Sequence, residues 1–128
     1  MTLTLPAKKR EAASAVGEAL IGARRVALTS HVNPDGDGLG SEVALAHLLQ
    51  AAGREVVVVN PTPTPARFEF LFHDLPRVDR HREAVKELRR ADLICVLDIA
   101  DTGRLGSLGP TVVEHGAPVV CIDHHASP

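Results

Sequence analysis

Apolar residues along this chain switch between helical and strand-like spacing. Between 7 and 23 they recur at Ala12, Val16 and Leu20, with Ala15, Ala19 and Ala23 on the neighbouring stripe, which predicts a helix packed on a sheet. Arg25-Val26-Ala27-Leu28-Thr29-Ser30 then reads as a short strand, and the turn formers of His31-Val32-Asn33-Pro34-Asp35-Gly36-Asp37-Gly38 read as the loop after it. Helical spacing returns over 41–52, with Ser41 as the expected cap and Gly53 as the stop. Residues 55–59 are β-branched and strand-like, whereas the Pro-Thr alternation over 60–65 lacks amide donors and is a connecting loop. Beyond it come a helix over 81–90, an apolar strand over 92–97, a loosely helical stretch over 105–115 interrupted by Gly109-Pro110, and a strand over 118–122.

Strands that are apolar almost throughout, alternating with helices, imply strands buried on both faces and joined by helical crossovers. The expected fold is therefore α/β, a three-layer domain with a mainly parallel sheet and helices on both faces. In such sheets sites form beyond the carboxyl ends of the strands.

Composition narrows this picture. In 128 residues, one domain's worth, aromatic residues are only 2%, so the core must be built from Ala, Val, Leu and Ile. A net charge of -2 and a pI near 6.4 give no broad cationic field, so no duplex DNA partner is expected and any nucleic-acid contact is local. Cys95 and Cys121 each lie inside an apolar run and read as buried thiols of a reducing cytoplasm rather than metal ligands. Lys8, Lys9 and Arg10 are followed by an amphipathic Ala-rich pattern, which indicates neither secretion nor a membrane span.

Three polar clusters fall at the carboxyl ends of three expected strands: His31 with Asp35 and Asp37, Asp98 with Asp101, and Asp123 with His124 and His125. One Asp after a strand is commonplace, because Asp caps helices and closes turns. Three clusters sharing one sheet edge are not, and their carboxylates would repel one another unless cations neutralised them. Carboxylate oxygens mixed with imidazole nitrogens and no thiolate suit Mn²⁺, Mg²⁺, Fe²⁺ or Zn²⁺, with Mn²⁺ the first choice. An EF-hand calcium loop beginning at Asn33 is set aside, since Ala44 stands where Glu is required and a strand leads into the loop. Ser41 is expected to cap a helix and Asp101 to cap the segment that follows it, with support of a ligand as the alternative for Asp101, and His47, His73, His81 and His115 lie away from the strand ends.

These residues also resemble a known family. His31-x-Asn33-Pro34-Asp35-Gly36-Asp37, followed by Gly38-Leu39-Gly40-Ser41, looks like the first motif of the DHH phosphoesterases, and Asp123-His124-His125 looks like the motif that names them. Between them Val96-Leu97-Asp98-Ile99-Ala100-Asp101 is similar to the second motif, an apolar strand delivering one Asp. The form of the first motif resembles the branch of bacterial oligoribonucleases that also dephosphorylate 3'-phosphoadenosine 5'-phosphate, and the related cyclic-dinucleotide phosphodiesterases.

The resemblance implies that His31, Asp35 and Asp98 hold one divalent cation and that Asp37, Asp98 and His124 hold a second, with Asp98 shared. It implies a substrate-phosphate contact for His125, an orienting role for Asp123, and a phosphate contact for Arg104. The implied reaction is hydrolysis of short RNA or nucleotide phosphoesters by a water activated between two cations, with catalytic roles for Asp98, His125 and Asp123. Family members carry a further metal-binding Asp and a C-terminal substrate-binding domain that these residues do not include, so the expectation is a partial N-terminal catalytic domain spanning 1–128. Two further readings follow: a catalytically silent metal- or nucleotide-binding fragment, and a homodimer in which a second copy covers an exposed sheet edge.

Overall fold

The computed structural model describes residues 4–99 and 101–125, so Ala100 of the second motif lies outside the described residues. Strands β1 (Arg25–Thr29), β2 (Glu55–Val59), β3 (Arg77–Val78), β4 (Leu93–Leu97) and β5 (Val119–Ile122) form one sheet in the spatial order β3-β2-β1-β4-β5. Every pairing in it is parallel. Helix α1 (Ala7–Gly22) precedes the first strand, and α2 (Gly36–Ala51), α3 (His81–Arg90) and α4 (Gly109–Glu114) occupy the connections, with 3-10 segments at Ala66–Phe72 and Thr102–Leu108. The α/β class, the parallel sheet and its two covered faces are those the sequence led us to expect. No helix among the described residues is long and apolar enough to cross a membrane.

Each strand divides its side chains between two cores. Val26 and Leu28 of β1, Val56 and Val58 of β2, and Leu93, Cys95 and Leu97 of β4 pack with Leu20 of α1 and Leu39, Ala46 and Leu49 of α2. Ala27, Val57, Val59, Ile94 and Val96 point the other way, onto Ala84 and Leu88 of α3 and Leu105, Leu108 and Val112 beyond them. Both faces are apolar, which is why the strands read as continuous apolar runs in the sequence. Full burial of a single Leu or Ile here contributes roughly 1.5–3 kcal/mol.

Four local expectations need correction. Helix α2 begins at Gly36, inside the stretch read as loop, and its cap is Asp35 rather than Ser41: the Asp35 carboxylate accepts the Gly38 N–H at 3.0 Å. The low helix propensity of Gly36, Gly38 and Gly40 hides that start. The 3-10 segment Ala66–Phe72 and the two-residue strand β3 carry too short an apolar pattern to register; buried Phe72 and Leu75 fasten them. Gly109-Pro110 opens α4 instead of interrupting a helix, in keeping with the preference for Pro in a first turn.

The last correction concerns Cys121, which is exposed, because it lies on the sheet edge strand β5, where Val119 and Ile122 are exposed too. Cys95 is buried, and desolvation, with the Cys121 thiol adding to it, pushes its thiol up to about 12. Register places Cys121 beside Val96 and Cys95 beside Val120, so the two thiols belong to opposite faces.

One acid lies wholly inside. Glu42 of α2 is fully buried, and desolvation, opposed by a hydrogen bond from Asn60, raises its carboxyl to about 8. The folded chain therefore holds a proton there between about 4.5 and about 8 that the unfolded chain releases. This contribution to stability is complete below the unfolded value and is lost as pH rises through the folded one. The expected slope is at most about 1.4 kcal/mol per pH unit. Urea unfolding of the parent and of Glu42→Gln between pH 5 and 8 checks this: the parent should lose stability relative to the variant as pH rises, and parallel curves would refute it.

Candidate metal centre

β4 lies between β1 and β5, so the loops leaving these three strands meet at one end of the sheet. This is also where the strand order reverses, with β1 followed on one side by β2 and on the other by β4, the place where doubly wound sheets form their clefts. His31 follows β1, Asp98 directly follows β4 and His124 follows β5. Asp98 is central because its strand is central.

Asp98 is buried, at 6% exposure, and sits at φ +62°. A left-handed backbone is uncommon for a side-chain-bearing residue, although Asp and Asn tolerate it best. The turn it makes is tied down by its own N–H, which donates to the Ile122 carbonyl at 3.0 Å. Non-glycine residues in this region tend to cluster at functional sites.

Two groups of potential ligands share this carboxylate. In the first, His31 Nε2 lies 3.6 Å from Asp98 Oδ2 and 3.8 Å from Asp35 Oδ1. In the second, His124 Nε2 lies 2.7 Å from Asp98 Oδ1, His125 Nδ1 lies 4.0 Å from the same oxygen, and Asp123 adjoins them. Asp37 stands at the margin, exposed, with Oδ2 4.0 Å from His124 Nε2. The structure thus brings His31, Asp35 and Asp98 together, brings His124 onto Asp98, and leaves Asp37 at the rim.

The tautomer of His31 tests whether a cation fits. Its Nδ1 donates to the Val32 carbonyl at 2.7 Å, and a carbonyl can only accept, so the proton of the neutral ring is fixed on Nδ1. In the neutral form that ligates metals, the ring directs its Nε2 lone pair toward the space between two carboxylates. The N···O separations of 3.6 and 3.8 Å exceed a hydrogen bond. Ligand bonds of about 2.1 Å to a common ion set donor atoms about 3–4 Å apart, which matches this spacing. The donor set and its geometry fit a divalent cation.

Supporting contacts hold the outer parts. Asp35 is kept below the usual carboxylate range by the Gly38 N–H, against desolvation, with the His31 ring also favouring the anion. His125 Nδ1 donates to Asp123 Oδ1, which raises the imidazole above its ordinary value despite desolvation. Asp123 is lowered although desolvation opposes it, because the His125 ring and nearby backbone N–H groups favour its anion. The rings of His124 and His125 are tilted against each other at 4.4 Å. Asp101 caps the 3-10 segment by accepting the Gly103 N–H, as expected for it. Arg104 is exposed on that segment, its charge opposes protonation of His125, and its carbonyl accepts the Val32 N–H at 2.9 Å.

The other histidines stay apart. His81 contacts Ser107, His115 donates to the Ala91 carbonyl, and His73 and His47 are exposed. Reading the sequence missed Glu42, Asn60 and Ser30, all fully buried directly behind the ligand loops. A signal was available: Glu42 falls on the apolar stripe Leu39, Ala46, Leu49 at helical spacing.

A doubly wound parallel sheet carrying a carboxylate and imidazole centre at its switch point is the class that these observations define. Residues 25–128 match the model of the DHH family, N-terminal domain, and the chain belongs to that family. Over 100 residues it is 32% identical to the bifunctional oligoribonuclease and PAP phosphatase NrnA of Thermus thermophilus, a match covering 78% of this chain and 28% of that protein. In structure it is similar to an exopolyphosphatase-related protein from Bacteroides fragilis, with a TM-score of 0.85 and 28% identity over 100% of this chain and 38% of that one. RecJ from Thermus thermophilus, solved in complex with Mn²⁺, shares the fold at a TM-score of 0.55 and 23% identity, over 99% of this chain and 16% of its own. The chain therefore spans 28% of the length of that oligoribonuclease and PAP phosphatase.

The packing at Gly38 gives a direct test of the ligand loop. A Cβ there would lie 2.6 Å from Ser30 Oγ and 3.4 Å from Ser30 Cβ. Gly38→Ala should cost about 1–3 kcal/mol in urea unfolding, and adding Ser30→Ala should recover part of that loss. Strict additivity in the double-mutant cycle would mean the two residues do not touch.

Proposed function

We propose that this chain is the N-terminal catalytic part of a two-metal phosphoesterase that hydrolyses short oligoribonucleotides or 3'-phosphoadenosine 5'-phosphate. The observation that carries the reading is one buried carboxylate, Asp98, shared by an imidazole from β1 and another from β5. Family membership and the name of the relative that is 32% identical support the substrate class.

His31, Asp35 and Asp98 would hold one cation and Asp37, Asp98 and His124 the other, with Mn²⁺ the best match to the oxygen and nitrogen donors and Mg²⁺ the alternative. Bound there, the two cations would lower the pKa of a water and offset charge on the phosphoryl oxygens. The chain's own residues supply placement. Asp98 fixes the common point, His31 presents a lone pair because Val32 holds its proton, and Asp35 is kept anionic by the start of α2. His125, oriented by Asp123, and Arg104 offer donors to a phosphate at the open side of the centre. The remaining wall of the substrate cleft belongs, in this reading, to a C-terminal domain beyond these residues.

Calorimetric titration of the parent chain with Mn²⁺ should show two sites, and Asp98→Asn, which tolerates the same left-handed backbone, should weaken both. Two unchanged sites in that variant would remove Asp98 from the shared position.

Turnover supplies the second check, on these 128 residues and on a longer protein containing them. Phosphate release from 3'-phosphoadenosine 5'-phosphate, or mononucleotide release from a dinucleotide, should require Mn²⁺ and stop with EDTA. His124→Ala should lower the rate by more than about 100-fold, beyond the loss typical of an outer hydrogen-bond partner. Mn²⁺ binding without turnover in the longer protein would favour a binding module.

A further inference from the structure

Behind the metal centre runs a chain of three polar side chains with no access to solvent. Ser30, Asn60 and Glu42 are each 0% exposed. Glu42 Oε2 accepts from Asn60 Nδ2 at 2.9 Å, Asn60 Oδ1 accepts the Ser30 N–H at 3.1 Å, and Ser30 Oγ donates to the Leu97 carbonyl at 2.8 Å. The Asn60 backbone N–H donates to Val78, which seats the middle of the chain on β3.

Each end of this line touches a segment that delivers a ligand. Ser30 directly precedes His31, Leu97 directly precedes Asp98, and Glu42 belongs to the helix whose cap is Asp35. Burying three polar groups costs more than burying apolar ones of the same size unless their hydrogen bonds are made and their geometry is needed. Packing alone would be served better by residues such as the neighbouring Leu39 and Val58. Apolar contacts also tolerate sliding, whereas directional hydrogen bonds set positions to a few tenths of an ångström.

We propose that Glu42, Asn60 and Ser30 form a buried brace that fixes the relative positions of the His31, Asp35 and Asp98 segments, which makes Glu42 a positioning residue for the metal centre. The proposal rests on the metal reading above. Glu42 enters the brace only through Oε2, which accepts from Asn60 while Oε1 meets no partner among the described residues, so a neutral amide at that position preserves the brace and an aliphatic side chain breaks it.

The test is Mn²⁺ affinity by calorimetry, read well below each variant's melting midpoint, with the midpoint of the metal-free chain measured alongside. Glu42→Leu should bind Mn²⁺ about 10–100-fold more weakly, the range for lost outer hydrogen-bond partners of metal ligands, while Glu42→Gln should bind close to the parent. Ser30→Ala keeps the Glu42–Asn60 pair and removes the hydroxyl that bonds Leu97 and faces Gly38, so it reports even where Glu42→Leu fails to fold; it too should bind more weakly. Unchanged affinity in folded Glu42→Leu, or in Ser30→Ala, with only the melting midpoint lowered, would show a purely structural network and overturn the brace. Absence of Mn²⁺ binding by the parent would overturn the metal reading and the brace together.

Discussion

The site depends on β4 standing between β1 and β5 in a wholly parallel sheet. Parallel strands end together, so three loops far apart in sequence are delivered to one place, and the residue at the end of the middle strand is shared by both neighbours. Asp98 holds that position by topology. Had β4 and β5 exchanged places, His124 would face β1 and no carboxylate would lie between the two imidazoles.

The second requirement is charge. The buried Asp98 carboxylate, the anionic Asp35 and the His31 ring converge on one point, a donor set that suits a cation. The hydrogen bonds of the surrounding chain fix where the donors point. Val32 holds the His31 proton, Gly38 holds Asp35, Ile122 holds the Asp98 turn, and Asp123 holds His125. A preorganised set of ligands is costly to fold and favourable to fill, and part of that cost is visible in the left-handed backbone at Asp98.

Much of this could be read from residue patterns. The alternation of apolar runs with helical spacing defined the class of fold, and the position of each polar cluster after a strand gathered His31, Asp98 and His124 to one edge. What pattern reading missed has specific causes. Gly36, Gly38 and Gly40 look like loop, yet the Asp35 cap starts a helix through them, because Gly38 must pass close to Ser30. Cys121 looks like core, yet its strand lies at the sheet rim, and strand order is not written in local sequence. Glu42 could have been noticed as an acid on an apolar stripe, but its partner Asn60 is distant in sequence and only the fold brings them together. Asp37, which the family motif sets among the ligands, lies at the margin of the cluster.

The two halves of the centre differ in how firmly they are rooted. His31 and Asp98 leave strands hydrogen-bonded on both sides, whereas His124 and His125 leave β5, bonded on one side only and exposed along most of its length. Local opening of the chain is cheapest at such a rim. A ligand that spans both halves must therefore also hold the rim in register, and part of its intrinsic affinity is consumed in doing so. Whatever covers β5, whether more of the same polypeptide or another molecule, would strengthen that ligand's hold without touching it.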